Sequence, residues 1–150
     1  GKNNNNNKNK KAQPKAHVRK TVTRLHKALV AADGDALKSI FHPKYERYVN
    51  GEFDDSLAHG TFLEAIVYLS KHGKFTHLEF SEPLGTRYSG AVRITWAFVP
   101  DGSGLEFSNA HMAVFRINKK GRVTFVDSYY DPAPMQALSA YAVANFPMKE

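Results

Sequence analysis

The sequence predicts a single α+β domain in which helices come first and a run of long antiparallel strands follows. Two observations predict this class: apolar residues recur every three or four positions in the first half of the chain, and every second position in the second half. The 150 residues, 42% hydrophobic and 23% charged, suffice for one core and are too few for two ordinary domains. Helical segments followed by consecutive strands are typical of an α+β architecture.

The first two helices are predicted from apolar periodicity and from their end signals. The first begins near Ala16 and ends at the AADGD segment. Its apolar residues share one face: Val18, Val22, Leu25, Leu29 and Val30. Asp33 or Asp35 can cap a short second helix, DALKSIF, because either carboxylate can accept a hydrogen bond from the first turn. Pro43 then disfavours helical backbone at the residue before it, so this helix ends there.

A third helix is predicted in GTFLEAIVYLSKHG, after a short strand around YERYVNGEF. Thr61 and Glu64 have the spacing of a capping box at its start. Gly73 is expected to end it, since glycine is the usual residue just past a helix.

Four strands are predicted from alternation of apolar and polar residues. They are FTHLEFSEPL, AVRITWAF, the segment 107–117 and RVTFVDSYY, with turns at PDGSG and NKKG. On the third of these strands, the odd-numbered residues from Phe107 to Ile117 are expected to share one face. The chain ends in DPAPMQALSAYAVANF, where two prolines suit the start of a terminal helix or docked tail.

The formal charge of +7 is concentrated at the start of the chain. Residues 1–32 hold nine Lys or Arg and no acid, whereas residues 33–150 hold twelve bases and fourteen acids, a balance of −2. A nucleic-acid partner is not expected, because it requires clustered bases on the folded domain. Residues 1–15, rich in Asn and Lys, are predicted to be a disordered tail, and residues 16–150 a single domain.

The residue inventory also narrows the possible chemistry. The absence of cysteine excludes disulfides, thiolate nucleophiles and cysteine-ligated zinc, and the seven histidines show no spacing typical of a metal site. We therefore expect neither a metal nor a cofactor. No apolar run is long enough to span a membrane, and we expect a cytoplasmic protein. Because the chain begins with Gly1 rather than Met, the loss of a preceding targeting segment stays open.

Several segments resemble the nuclear-transport-factor-2-like (NTF2-like) superfamily, in particular its SnoaL-like and ketosteroid-isomerase-like branch. They are TRLHKALVAADGDALKSIF, GTFLEAIVYL and FRINKKGRVTFVDSYYDPA, and the resemblance covers about residues 16–134. The recurrent features are Gly34-Asp35, Gly60-Thr61, Gly121-Arg122-Val123 and Tyr129-Tyr130-Asp131-Pro132. The resemblance implies a cone-shaped, curved antiparallel sheet wrapped around the N-terminal helices (a cystatin-like α+β barrel), which encloses an apolar pocket and usually forms a dimer.

The resemblance also indicates that the usual catalytic residues of the superfamily are not retained. The oxyanion-holding tyrosine and the protonated aspartate of ketosteroid isomerases correspond to Leu25 and Ala113, and the proton-shuttling carboxylate falls near Val49. The pocket-facing acid of many SnoaL-like proteins corresponds to Ser128, while Asp127 has the opposite parity.

The strand parities place His111 and Asn109 on the predicted pocket face, and we consider them candidate catalytic residues. His111 could act as a general acid or base, and Asn109 could orient a ligand carbonyl or hold the histidine tautomer. Alternatively, His111 is a hydrogen-bonded core histidine. Candidate ligand-binding residues are Trp96, Phe98, Phe115, Ser128, Tyr130, Tyr48, Asn50 and His59.

The opposite parity predicts an apolar outer face that carries Met112, Val114, Phe125, Asp127 and Tyr129. An exposed apolar face of this kind favours association, so a symmetric homodimer is expected, with partial cover by the C-terminal segment as the alternative.

Three functions remain open from the sequence. The first is a SnoaL-like isomerase, cyclase or dehydratase-type lyase that acts on a small carbonyl or aromatic compound through His111. The second is a noncatalytic ligand-binding or dimeric interaction module with the same fold, which the missing carboxylates favour. The third is an adaptor whose basic tail tethers it to acidic partners.

Overall fold

A computed structural model describes residues 16–54 and 61–147, with the side chains of residues 61 and 62 excepted. The predicted tail over residues 1–15 and the candidate residue His59 lie outside the described residues, as does the side chain of Thr61 in the predicted capping box. Among the described helices, none combines the length and the apolar character needed to cross a lipid bilayer.

Four helices are described, and their order agrees with the sequence analysis. They are α1 (Ala16–Val30), α2 (Gly34–Ile40), α3 (Thr61–Lys71) and α4 (Ala133–Asn145). Asp33 is the residue that caps α2: the Ala36 N–H donates to its carboxylate at 3.0 Å. The helix ends before Pro43, as predicted.

Seven strands form one sheet in the order β2-β1-β7-β6-β5-β3, with β4 paired to β5. They are β1 (Phe41–Val49), β2 (Glu52–Phe53), β3 (Gly73–Phe80), β4 (Leu84–Gly85), β5 (Ser89–Pro100), β6 (Phe107–Ile117) and β7 (Val123–Tyr129). The described strands do not close into a barrel, since β2 and β3 end the path without pairing to each other.

The sheet is mixed, not antiparallel throughout. Strands β3, β5, β6 and β7 pair antiparallel as expected, but β1 runs parallel to β7. A short turn forces its two strands to be antiparallel, whereas strands joined by a long crossover are free of that constraint. More than seventy residues separate β1 from β7, so the hairpin logic that predicts the later strands does not apply to this pair.

The segment around YERYVNGEF forms a hairpin where the sequence analysis expected one short strand. Strand β1 begins at Phe41, and Asn50 and Gly51 then turn the chain back into β2. Both turn residues have positive φ, 51° and 81°, as a two-residue type I′ turn requires. The Asn-Gly pair is the sequence signal for this turn.

Gly73 has a different role from the predicted helix end. Helix α3 ends at Lys71, and Gly73 is the first residue of β3. A Cβ atom there would lie 2.3 Å from Cζ of Phe98 and 2.6 Å from the carbonyl oxygen of Val99. Glycine is therefore needed for the close approach of β3 to β5.

The core lies between the inner face of the sheet and the helices. Side chains of α1 and α2 pack against the odd-numbered residues of β6, confirming the predicted parity: Ala113, Phe115 and Ile117 are buried, while the residues between them are exposed. A smaller cluster joins Trp96 and Phe98 to Leu138, so α4 docks on this face of the sheet.

Candidate functional site

A cavity of about 210 Å³ lies between the inner face of the sheet and the helices α1, α3 and α4. Its wall is almost entirely apolar. Leu25 and Ala113, the positions that correspond to the ketosteroid-isomerase catalytic residues, both line it and contribute only hydrocarbon. Met135 and Leu138 of α4 also line it, so the C-terminal helix closes one side of the cavity.

Six of the candidate site residues line this cavity. They are Trp96, Phe98, His111, Phe115, Ser128 and Tyr130, which come from β5, β6, β7 and the residue after β7. The strand parities brought these residues to one face, as the sequence analysis expected. Their part in binding stays a prediction.

Three other candidates do not line the cavity. Tyr48 packs on the opposite sheet face, with its ring 5.5 Å from that of Phe53 and 5.2 Å from that of Phe125. Asn50 and Asn109 form hydrogen bonds with the backbone at Tyr130 and Asp131. The Nδ2 of Asn50 donates to the backbone carbonyl of Tyr130 at 3.0 Å, and its Oδ1 accepts from the backbone N–H of Tyr130. The Nδ2 of Asn109 donates to the backbone carbonyl of Asp131 at 2.9 Å. These two amides therefore hold Tyr130 in place.

His111 is fixed by two aromatic neighbours. The indole Nε1–H of Trp96 donates to its Nε2 at 2.9 Å, and the ring of Tyr130 stacks on the imidazole with centroids 4.2 Å apart and planes 23° apart. An indole nitrogen can only donate, so Nε2 must accept. The neutral ring therefore carries its proton on Nδ1.

The surroundings of His111 also keep it neutral. Burial, and then the positive charge of Arg47, lower the pKa of His111 from its ordinary value of 6.5 to about 4. At neutral pH the ring is uncharged, and its basic nitrogen is already occupied by Trp96. This arrangement suits a hydrogen-bond donor at Nδ1 better than the general acid or base that the sequence analysis considered.

Arg47 is a lining residue that the sequence analysis missed. It lies on β1, is only 4% exposed, and forms an ion pair with Asp54 through Nη1 and Oδ2. The feature of the sequence that indicates an inward-facing Arg47 is its parity, because it is two residues from Tyr45, which is also buried. An arginine at that position is ordinarily interpreted as exposed, because its burial needs a partner that the local pattern does not reveal.

The remaining polar groups of the cavity fall into two sets. Thr21 and Ser70 donate their hydroxyls to backbone carbonyls, at 2.8 Å to Gly121 and 2.7 Å to Ile66, and are thereby satisfied. The hydroxyls of Ser128 and Tyr130 and the Nδ1 of His111 have no hydrogen-bond partner within residues 16–54 and 61–147. The hydrogen-bonding capacity of the wall is thus concentrated where β6 and β7 meet.

No cluster of three His, Asp or Glu side chains suited to a metal ion occurs in the described part of the chain. The lining residues that the structure describes include no carboxylate either, so the few polar side chains among them carry N–H or hydroxyl groups.

No protein-family model and no curated protein matches the sequence, but solved structures match the fold. An NTF2-like protein from Cytophaga hutchinsonii superposes with a TM-score of 0.53 at 15% identity, covering 79% of this chain and 93% of that one. The chain has an NTF2-like fold.

Two further structures share this NTF2-like fold. One is an LEH-like epoxide hydrolase from Mycobacterium tuberculosis, with a TM-score of 0.60, 16% identity, and coverage of 84% of this chain and 95% of that one. The other is IdmH from Streptomyces antibioticus, a candidate polyketide cyclase, with a TM-score of 0.61, 16% identity, and coverage of 81% and 97%. Isomerase-, cyclase- and hydrolase-like proteins are thus among the structural neighbours.

Proposed function

We propose that this protein binds a small, largely apolar molecule whose polar end is a carbonyl or a similar oxygen acceptor. The observation that carries the proposal is the cavity itself: an apolar wall with its unused hydrogen-bonding groups gathered at one end. Ligand sites usually have this form, with few polar groups that fix orientation in a mostly hydrophobic pocket.

The size of the cavity sets the size of the ligand. An apolar cavity of roughly 150 Å³ in another protein binds benzene. The cavity here, about 210 Å³, has room for a ligand somewhat larger than benzene. Burial of its hydrocarbon part supplies affinity at about 25 cal/mol per Å² removed from water.

The polar end of the cavity determines which ligands bind in a fixed orientation. His111 offers a neutral N–H, and Ser128 and Tyr130 offer hydroxyls, all without partners among the described residues. An oxygen acceptor placed among them satisfies these groups, whereas a hydrocarbon leaves them unpaired at a cost of about 1–3 kcal/mol each.

Binding is favoured over an isomerase or lyase reaction by what the wall contains. A neutral imidazole N–H can polarise a carbonyl, but enolisation or dehydration also needs a group that accepts a proton. Nε2 of His111 is engaged by Trp96, and among residues 16–54 and 61–147 no carboxylate lines the cavity. An epoxide hydrolase and a candidate polyketide cyclase are among the structural neighbours, and this supports a small-molecule ligand for the fold.

The test compares acetophenone with ethylbenzene, which has a similar shape and no oxygen. We expect NMR or calorimetric titration to show that acetophenone binds the wild-type protein more tightly than ethylbenzene does. Ala113→Leu should fill the cavity and abolish both interactions. The matched control is Ala110→Leu, because Ala110 lies exposed on the opposite face of the same strand. Absence of binding to the wild type, or unchanged binding to folded Ala113→Leu, would overturn the proposal.

We further propose that two copies associate through the outer sheet face, as the sequence analysis expected. Met112, Val114 and Tyr129 are 40–46% exposed there. Asp127, predicted on the same face, is instead buried, because it accepts hydrogen bonds from the Gly51 N–H at 3.1 Å and the Tyr129 hydroxyl at 2.8 Å. With the charge of Asp127 covered, these three side chains form an apolar patch on a face that also carries the exposed Arg93 and Arg116.

A further inference from the structure

We propose that one side of α1 is a docking surface for double-stranded DNA, which it contacts through the phosphates. This basic face consists of five exposed side chains: Lys20, Arg24 and Lys27 of α1, with Lys119 and Lys120 of the turn between β6 and β7. The inference is independent of the proposed function, because none of the five lines the cavity.

The three bases of α1 form a stripe along the helix. Arg24 is four residues after Lys20, and Lys27 is three residues after Arg24, a spacing that makes side chains neighbours on a helix surface. The helix contains no acidic residue. Like charges at this spacing repel and weaken a helix, whereas exposed helix faces usually mix both signs. The stripe therefore adds nothing to the stability of α1, but it suits an anionic partner.

The fold places a second group of bases beside this stripe. The Thr21 hydroxyl of α1 donates to the Gly121 carbonyl at 2.8 Å, so the turn that ends at Gly121 packs on the first half of the helix. Arg24 is one turn further along that side of α1, and Lys119 and Lys120 directly precede Gly121. Counted along the chain, these two lysines belong to the slightly acidic residues 33–150, and for that reason the sequence analysis did not expect a nucleic-acid partner.

The charges of the basic face are available to a partner. Within residues 16–54 and 61–147, none of its five side chains forms an ion pair. The ion pair that α1 does form joins Arg19 to Glu82, just after β3. Residues 1–15, which directly precede α1, add five lysines and no acid to the sequence beside this face. An approaching polyanion therefore meets uncompensated positive charge.

The composition of the basic face favours duplex DNA over other polyanions. Its neighbours Thr23 and Asn118 are polar as well. Protein partners are usually anchored by aromatic side chains, and single-stranded nucleic acids stack their bases on such side chains, but a duplex bound through its phosphates needs only clustered Lys and Arg. The exposed side of a helix is convex. The wide major groove of B-form DNA accepts such a surface, whereas the deep, narrow groove of A-form RNA does not.

The test measures how DNA binding depends on salt, by fluorescence anisotropy of the full chain with a labelled duplex of about 20 base pairs. Each phosphate contact contributes about −0.9 to the slope of log K against log salt, so five contacts predict a slope of about −4.5 or steeper. The affinity should accordingly fall about 500-fold between about 50 and 200 mM KCl. Two duplexes of unrelated sequence should bind alike, because phosphate contacts carry no sequence information directly.

The decisive variant combines Lys119→Gln with Lys120→Gln, since these residues join the basic face only through the fold. It keeps the turn, in which the Asn118 side chain accepts a hydrogen bond from the Lys120 backbone N–H at 3.0 Å. We expect the salt slope to become shallower by about two and the affinity to fall about tenfold. If this variant does not fold by circular dichroism, Lys20→Gln with Arg24→Gln tests the same face.

The matched control combines Lys71→Gln with Lys74→Gln, which removes the same charge elsewhere. Lys74 is opposite Val99, near the end of β5, whereas α1 contacts Tyr88 just before the start of that strand, with the ring of His17 5.8 Å away. The twelve residues of β5 put about 35 Å between the two places. This control should bind DNA with the wild-type slope, and both double variants should bind acetophenone as the wild type does.

Four results would overturn the inference. They are no binding of the wild type to duplex DNA at about 50 mM salt, unchanged DNA affinity in the folded Lys119→Gln and Lys120→Gln protein, an equal loss in the control, and tighter binding to an RNA duplex of the same sequence. Displacement of the DNA by poly-glutamate at equal charge concentration would indicate an acidic protein partner and would also overturn it. Acetophenone binding, measured on the same proteins, tests the proposed function separately.

Discussion

The Nε1–H of Trp96 on β5 donates to Nε2 of His111 on β6 at 2.9 Å, joining two adjacent strands on the cavity side of the sheet. In the register, His111 is opposite Ile94, so Trp96 is its diagonal neighbour. This hydrogen bond decides the chemistry of the histidine, because it occupies the nitrogen that would otherwise act as a base.

Removal of the indole N–H should measurably weaken the fold. Trp96→Phe removes the indole N–H together with the pyrrole part of the ring and leaves Nε2 of His111 without its donor, so the free energy of unfolding should fall by at least about 1–2 kcal/mol. Urea denaturation measures it. His111→Ala and the double variant complete a double-mutant cycle, in which a coupling energy near zero would show that this hydrogen bond contributes nothing.

The low pKa of His111 predicts how stability depends on pH. In the unfolded chain the ring binds a proton below about 6.5, whereas in the folded protein it does so only below about 4. The unfolded state therefore binds more protons between these values, and stability falls as the pH is lowered from about 6.5 to 4. With allowance for solvent screening at a partly exposed ring, we expect a loss of about 2 kcal/mol.

The contribution of His111 must be separated from that of the carboxylates, which titrate in the lower part of the same range. His111→Gln does not titrate, so its stability curve should be flatter than that of the wild type between pH 6.5 and 4. Parallel curves for the two proteins would mean that His111 titrates equally in the folded and unfolded states.

Gly73 should tolerate no side chain, although its backbone is not in the left-handed region. Gly73→Ala places Cβ against the ring of Phe98 and the Val99 carbonyl, so we expect a destabilisation of about 1–3 kcal/mol. Gly34→Ala is the matched control, since its Cβ would lie 3.5 Å from Val67, at ordinary contact distance. Thermal denaturation should show a lower Tm for the first variant only; equal Tm values would refute the close packing of β3 on β5.

The outer sheet face should mediate self-association. Val114→Lys puts a charge in the middle of that face and should convert a dimer into a monomer, measured by light scattering after size-exclusion chromatography. Val143→Lys is the control, because Val143 is 88% exposed on α4. A monomeric wild type, or a Val114→Lys protein that remains dimeric, would contradict the proposed homodimer.

The sequence predicts which face of a strand a residue occupies better than it predicts where along the strand the cavity ends. Asn109 and His111 share one parity, yet only His111 lines the cavity. The reason is local: near Asn109 the carbonyl of Asp131 lies within 2.9 Å and takes its amide hydrogen bond. That contact depends on the path of the chain after β7, which periodicity does not specify.

Arg47 shows a second limit to what the sequence predicts. Its parity with Tyr45 indicates the inner face, but an arginine is buried only where an anion compensates it, and Asp54 reaches it across the β1–β2 hairpin. The Asn-Gly turn that creates this hairpin is visible in the sequence. The helices, by contrast, follow directly from their apolar spacing and from the Asp33 cap, because these signals lie within a few residues of one another.

The most direct test of the account is an ¹⁵N NMR spectrum of the His111 imidazole at pH 7, recorded with and without acetophenone. We predict a neutral ring with its proton on Nδ1, and a shift of the Nδ1 resonance when the ligand oxygen accepts that hydrogen bond. A charged ring, a proton on Nε2, or an Nδ1 resonance that does not move at saturating ligand would contradict it.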